Sequence, residues 1–421
     1  MEKVIIDGGV ALEGKIAVSG MKNAAVAVLF ATLLVGDVCV IENLPDISDV
    51  KISLDIIESL GARVIRLGGN RVSIDCRDVR DEMPPRELAK KMRASYYLLG
   101  AYLGRFGHAA IAYPGGCDFG VRPIDQHIKA FEALGADVDL SCAEKIEATA
   151  KDGKLCGTGI FFDCVTVGGT INAIIAAVLA NGTTEIENAA REPHIVDLVN
   201  FLNLCGASIT GAGTDTIKIR GVESLHGCTH FLVPDMIEAG TFMIAAAATK
   251  GMLYIENVIP KHLEAISAKL TEMGAYVEEF DDAVMVSRSG ELCKTNIRTK
   301  PYPGFPTDMH PQMATLMCMA EGESTFVDTI WDNRFRYVEE LKRMGANITV
   351  DDNKATIQGS TNFVGARVRA VDLRAGAAMI IAGLAAKGRT EIEDFFYVDR
   401  GYDNIVEKLR AVGAKISKVT E

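Results

Sequence analysis

Ile56-Ile57-Glu58-Ser59-Leu60-Gly61-Ala62-Arg63-Val64 is the first of six near-copies of one phrase, an amphipathic stretch closed by Gly-Ala and followed by a strand-like residue. It returns as FEALGADV (131–138), FLNLCGASI (201–209), LTEMGAYV (270–277), LKRMGANI (341–348) and LRAVGAKI (409–416). The glycines are 61, 135, 206, 274, 345 and 413, spaced 74, 71, 68, 71 and 68 residues apart. A second phrase keeps step with the first, a glycine leading a short strand: GDVCVIEN (36–43), GHAAIAYP (107–114), GTTEIENA (182–189), GMLYIENV (251–258), GESTFVDT (322–329) and GRTEIEDF (388–395). Self-similarity at a fixed period marks a repeat architecture, so the chain reads as six copies of one unit of about 70 residues.

Each repeat has the same internal order. A small-residue apolar helix, such as Ala24 to Leu34 or Ala375 to Ala385, runs to a glycine suited to cap it. A strand follows, then a loop, then an amphipathic helix closed by Gly-Ala, then two alternating segments joined by a turn, as in RVIRL-GGN-RVSID at 63–75. The last repeat has only one hairpin arm, AKISKVTE, and the opening segment Lys3 to Asp7 is a strand without a repeat of its own that can complete it. The expected fold is therefore α/β, in two domains of three repeats. Residues 21–230 form one domain, and 1–20 plus 231–421 form a discontinuous second one, with two chain crossings acting as a hinge.

Bulk properties limit the function. The chain has 421 residues, 48% of them hydrophobic, enough for two domains with sizeable cores. Its longest apolar runs are about a dozen residues, short of the roughly 20 needed to span a bilayer. MEKVIIDGG carries charges where a signal peptide needs an apolar stretch, so a cytoplasmic location is expected. Ten cysteines without a C-x-x-C pair suggest neither a zinc site nor a disulfide framework. A net charge of −12 argues against nucleic-acid and anionic-membrane partners, so an anionic ligand must meet a local basic cluster.

Such clusters recur at equivalent places in the repeats. Lys22, Arg93 and Arg374 stand at the starts of first helices, where the dipole disfavours a cation unless an anion is bound. Arg122, Arg334 and Arg400 fall in the loop after the first strand. Taken singly, each reads as a solvated surface charge; repeated, they predict an anion pocket shared by the two domains. Asp308, after Pro306 and Thr307, reads as a helix cap, as do Asp235 and Asp372. Trp331 reads as packing, and His194, His262 and His310 receive no role. The loop Tyr113-Pro114-Gly115-Gly116-Cys117-Asp118-Phe119-Gly120-Val121-Arg122 sets one cysteine among glycines with an arginine five residues on, the usual housing of a reactive thiol, although the loop alone reads equally as a turn.

These residues carry a resemblance over essentially the whole chain. Ser19-Gly20-Met21-Lys22-Asn23-Ala24-Ala25, Lys91-Met92-Arg93-Ala94-Ser95, Pro114-Gly115-Gly116-Cys117 with Arg122-Pro123-Ile124-Asp125-Gln126-His127-Ile128, Pro306-Thr307-Asp308-Met309, Asn333-Arg334-Phe335, Asp372-Leu373-Arg374 and Asp399-Arg400-Gly401-Tyr402 occur together. In this combination the chain resembles the UDP-N-acetylglucosamine 1-carboxyvinyltransferase family of enolpyruvyl transferases. The resemblance implies a two-domain inside-out α/β barrel. It also implies transfer of enolpyruvyl from phosphoenolpyruvate to the 3-hydroxyl of UDP-N-acetylglucosamine with loss of phosphate, the first committed step of peptidoglycan synthesis.

The same resemblance assigns roles. Cys117 is implied to protonate the methylene carbon of phosphoenolpyruvate, and can form a covalent adduct with it. Lys22, Arg122 and Arg400 are implied to hold the phosphate, with Arg93, Arg334 and Arg374 completing the cationic pocket. Asp308 is implied to accept the sugar hydroxyl proton, and Asn23 to steady the tetrahedral intermediate. Arg122, Pro123, Ile124, Asp125, Gln126, Val167 and Gly168 are implied to contact the uridine diphosphate, and Ile330 the sugar. No metal or cofactor is expected, since phosphate leaves a tetrahedral carbon without phosphoryl transfer. Three positions depart from the family pattern: Met21 in place of alanine, Asp118-Phe119 in place of small or aliphatic residues, and His310 in place of glutamine. An acid beside Cys117 tends to raise the thiol pKa. Two other readings remain: the sister family acting on shikimate 3-phosphate, which lacks the cysteine loop, and a non-catalytic UDP-sugar-binding regulator.

Overall fold

The computed structural model describes residues 2–113 and 124–420. Every repeat opens with a helix enclosed on nearly all sides: Lys22–Ala31, Tyr97–Phe106, Val167–Ala177, Met236–Ala248, His310–Met319 and Leu373–Ala385. All 13 residues of Met236–Ala248 are buried, as an apolar surface with no polar face requires. Small residues permit the close packing. A Cβ on Gly100 would come within 2.6 Å of Asn172 Oδ1, so Tyr97–Phe106 and Val167–Ala177 approach at a distance that only glycine allows.

The glycines of the two phrases behave differently. Those of the Gly-Ala phrase, 61, 135, 206, 274, 345 and 413, all adopt φ between 94° and 103°. This left-handed turn ends each second helix, and a side chain there would be strained. Of the glycines expected to cap the first helices, only Gly107 sits at the cap, with φ 72°. Repeat 4 departs most, because Lys250 takes the left-handed position at φ 53° and Gly251 does not.

Among the described residues each repeat contributes one sheet, so six form, three in each domain. A central strand pairs antiparallel with a hairpin on one side; in five of the six, a short edge strand runs parallel on the other. Repeat 3 shows the plan: Gly159–Phe161 runs parallel to Thr183–Glu187, which pairs antiparallel with Thr216–Arg220 and through it with Ser208–Thr210. The burial of Thr183–Glu187 alternates, two buried positions among three exposed. One sheet face therefore covers the helices and the other faces water, with helices inside and sheets outside.

The short edge strands escaped the sequence reading, and two of them come from distant sequence. Thr229–Phe231, at the end of repeat 3, runs parallel to Val38–Glu42 and closes the sheet of repeat 1. Glu13–Ala17 closes the sheet of repeat 4 beside Met252–Glu256. Repeat 2 has no such strand among its described residues, and the short helix Arg86–Ala89 precedes its 3-10 turn Arg93–Tyr96. The expected completion of repeat 6 is present. Glu2–Asp7 lies between Arg389–Glu393 and Lys415–Thr420, antiparallel to both. The chain divides into two compact domains, Gly20–Val233 and Met1–Ser19 with Pro234–Glu421. Among the described residues no helix is long and apolar enough to cross a membrane.

Candidate active site

In the discontinuous domain the sequence candidates converge on Asp308. Thr307–Met309 forms one 3-10 turn ahead of the helix His310–Met319, which leaves the Asp308 side chain partly exposed at the helix start. Its carboxylate is shared by two buried guanidinium groups: Oδ1 accepts from Arg334 Nη2 at 3.1 Å and Oδ2 from Arg374 Nη2 at 3.0 Å. Two cations on one carboxylate leave net positive charge, as an anion site needs. Arg374 lies at the start of its helix, whose amides at Arg374 and Ala375 donate to the cap residue Asp372 at 2.8 and 2.9 Å. Burial pulls the Arg374 guanidinium down, but Asp308, Tyr402 and Asp235 outweigh it and hold the group above its ordinary value. Its Nη1 is buried and finds no hydrogen-bond partner among the described residues. Arg400 ends the half-buried 3-10 segment Phe395–Arg400 of the same domain.

Behind Asp308 sits a buried network that the sequence reading missed. In repeats 1, 3 and 4 the residue after the central strand is asparagine: Asn43, Asn188 and Asn257. Each amide donates to the carbonyl of the residue after the edge strand, Leu232, Phe162 and Val18 respectively, at 2.6–2.9 Å. Repeat 5 has Asp328 there, and its Oδ1 accepts instead from the Thr299 hydroxyl at 3.0 Å. The same oxygen takes the amides of Ile330 and Trp331 at 2.9 and 3.1 Å. Oδ2 accepts from Thr307 Oγ1 at 2.7 Å and lies 3.0 Å from His310 Nδ1. One carboxylate thus fixes both the turn that carries Asp308 and the loop that carries Ile330.

His310, unassigned from sequence, completes this network. It is fully buried, stacks on Phe326 with ring centroids 4.1 Å apart, and places Nε2 2.9 Å from the Tyr337 hydroxyl. Burial lowers its pKa against the opposing pull of Asp328. The ring is therefore neutral, donating from Nδ1 to Asp328 and accepting from Tyr337. Burial alone would raise Asp328, but the His310, Thr307 and Ile330 hydrogen bonds hold it below the usual carboxylate range.

In the domain Gly20–Val233, Lys22 is the first residue of its helix and pairs with the buried Asp49 at 2.9 Å; Asn23 follows it, half-buried. Met21 is itself buried as the residue preceding that helix. Burial lowers the pKa of the half-buried Arg93 while Tyr96 and Tyr97 oppose the shift, a cost that an anion would offset. Asp125 begins the helix Asp125–Ala133, directly after Ile124. The Gln126 amide is committed to Asp163: its Oε1 accepts from the Asp163 amide and its Nε2 donates to the carboxylate, both at 3.0 Å. Its side chain therefore braces the helix. Val167 and Gly168 open the next first helix, capped by Thr166. A Cβ on Gly168 would meet His127 Nε2 at 2.8 Å, and His127 Nδ1 takes the Asn172 amide at 2.8 Å. Cys117, Asp118, Phe119, Arg122 and Pro123 lie outside the described residues.

Residues 6–409 match the family model described as EPSP synthase (3-phosphoshikimate 1-carboxyvinyltransferase). Two curated relatives are 53% identical over the full length of both chains: UDP-N-acetylglucosamine 1-carboxyvinyltransferase 3 of Caldanaerobacter subterraneus subsp. tengcongensis and UDP-N-acetylglucosamine 1-carboxyvinyltransferase of Clostridium botulinum. Among solved structures, the enolpyruvyl transferase NikO from Streptomyces tendae superposes with TM-score 0.90 at 27% identity, covering 100% of this chain and 99% of its own. EPSP synthase from Acinetobacter baumannii has TM-score 0.77 at 18% identity with full coverage of both chains, a likeness of fold. The chain belongs to the EPSP synthase family of enolpyruvyl transferases and, within it, groups with the UDP-N-acetylglucosamine 1-carboxyvinyltransferases.

Proposed function

We propose that the enzyme transfers the enolpyruvyl group of phosphoenolpyruvate to the 3-hydroxyl of UDP-N-acetylglucosamine and releases phosphate. The observation that carries this reading is Asp308 held between Arg334 and Arg374, a base and an anion site built from the same three side chains. A substrate carboxylate or phosphate competes with Asp308 for the guanidinium groups. Their transfer to the substrate frees the carboxylate to accept the hydroxyl proton as the carbon–oxygen bond forms. Cys117 delivers a proton to the methylene carbon. Loss of phosphate and of a methyl proton then restores the vinyl group.

The remaining cations divide the charge: Lys22, Arg122 and Arg400 on phosphate, with Arg93 completing the set, while Asn23 steadies the tetrahedral intermediate. Arg122, Pro123, Ile124, Asp125, Gln126, Val167 and Gly168 form the uridine diphosphate contacts, and Ile330, set by Asp328, those of the sugar. On this reading the enzyme works in the cytoplasm at the first committed step of peptidoglycan synthesis, thereby supporting cell-wall growth, cell shape and division, and is a target of fosfomycin. It uses no nucleic-acid or membrane partner.

The test is phosphate release with each substrate alone and with both, for wild type and Cys117→Ala. Release that needs both substrates and the thiol is expected, as is loss of fosfomycin labelling in Cys117→Ser. Tight UDP-sugar binding without release would replace the reaction by a regulatory role.

A further inference from the structure

Cys39, Cys205 and Cys228 come together inside the domain Gly20–Val233, and all three sulfurs lie within 4.8 Å of one another. They arrive on three different elements. Cys39 is an inward position of the strand Val38–Glu42, Cys205 caps the C-terminus of the helix Pro193–Leu204, and Cys228 immediately precedes the edge strand Thr229–Phe231. Backbone hydrogen bonds fix their relative places: the Val40 amide donates to the Cys228 carbonyl at 2.8 Å and the His226 amide to the Cys205 carbonyl at 2.9 Å. The Cys205 and Cys228 sulfurs are 3.4 Å apart.

From these positions we infer that the three thiols form a binding site for one soft, filled-shell divalent cation of the zinc class. Zinc–sulfur bonds of about 2.3 Å at tetrahedral angles set neighbouring sulfurs about 3.8 Å apart, inside the observed 3.4 to 4.8 Å window. A disulfide would use two of the sulfurs, at about 2 Å, and leave the third idle. Cys228 is only half-buried, which gives a cation an entry.

His226, two residues before Cys228, is not among the groups within 4.8 Å of the three sulfurs, so its side chain would have to turn inward to serve as the fourth ligand, a position water fills otherwise. The His226 Nδ1 lies 3.1 Å from the Gly227 carbonyl, so that nitrogen carries the proton and Nε2 holds the lone pair, the arrangement that orients a metal-binding imidazole. Nε2 lies over Gly206, next in sequence to Cys205, where an added Cβ would meet it at 3.0 Å. Spacing rules look for ligand pairs a few residues apart, whereas these cysteines are 166 and 23 residues apart (205 − 39 and 228 − 205). The cation would join repeat 1 to the strand that closes its sheet, a structural role separate from catalysis.

The experiment is equilibrium dialysis of the full chain against Zn2+ under a non-chelating reductant, with melting temperature and alkylation mapping as parallel readouts. One tight equivalent is expected in wild type and in Cys293→Ser, an exposed control. Cys228→Ser should bind at least tenfold more weakly and lose the metal-dependent rise in melting temperature. In wild type, Zn2+ should slow alkylation of Cys228 while leaving Cys156, Cys164 and Cys293 unchanged, a readout that needs no variant. Absence of a tight equivalent in wild type, its full retention in Cys228→Ser, or unaltered alkylation of Cys228 would each overturn the site.

Discussion

Asp328 shows at the level of one residue how a repeat is altered to carry function. The asparagines at its counterparts hold two strands together with one hydrogen bond; the carboxylate accepts five, from Thr299, Thr307, His310, Ile330 and Trp331. Asp328→Asn restores the residue of repeats 1, 3 and 4 yet exchanges one acceptor oxygen for a donor facing other donors. The expected result is a folded enzyme, destabilised by about 1–3 kcal/mol, whose kcat falls while phosphoenolpyruvate binding changes little; unchanged kcat would remove Asp328 from positioning Asp308. Arg374→Lys tests the anion site directly. A lysine presents its donors from a single atom and lacks the planar fork in which one nitrogen holds Asp308 while another faces the anion, so kcat/KM should fall about 100-fold, and steady-state kinetics would show it. The places of Lys22, Arg93 and Arg374 at helix starts, where a cation is electrostatically misplaced, were legible in the sequence. Asp328, Tyr337, His127 and Asn172 were not, since their partners are tertiary and leave no local signature.

Elements were legible in proportion to their length. Hairpins of five-residue arms and helices of ten residues show their periods, but strands of three residues such as Gly159–Phe161, Asn296–Arg298 and Arg367–Arg369 contain a single buried position each. One buried residue has no period. Packing between the helices Asp125–Ala133 and Val167–Ala177 gives a pH-dependent prediction. Burial, reinforced by Arg93, pushes the His127 pKa from 6.5 down to about 4. The unfolded chain therefore takes up the proton first, and stability falls as pH drops from 6.5 to 4, by about 3 kcal/mol in total. Thermal melts of wild type and His127→Gln across that window should diverge, with the variant flatter; parallel profiles would mean that the imidazole is not buried as described. Gly168→Ala probes the same contact without charge. The added methyl meets His127 Nε2 at 2.8 Å, and a loss of about 1–3 kcal/mol is expected in chemical denaturation.

For the molecule as a whole, the repeat count carried most of the architecture, because six copies of one folding rule leave few ways to arrange the chain. What it could not show is how each domain closes on itself, with Thr229–Phe231 returning to repeat 1 and Glu13–Ala17 to repeat 4. These closures make a strong prediction about connectivity. Glu2 is the register partner of Thr420, and the strands that hold them run antiparallel. Their ends are neighbours, about 5 Å apart, where the other repeats have an ordinary hairpin turn. A short Asn-Gly-containing link from residue 421 to residue 1, with new termini opened between Ser19 and Gly20, would turn the discontinuous domain into one continuous segment. The permuted chain is expected to fold and to unfold cooperatively. Further division after Val233 should yield two soluble pieces, 20–233 and 234–421 linked to 1–19, each with its own melting transition. If neither piece folds alone, the three-repeat domain is not an autonomous unit, and its stability depends on chain outside it. If both fold, six repeats of sequence have produced two closed assemblies of three, each stabilised by an edge strand returned from elsewhere in the chain.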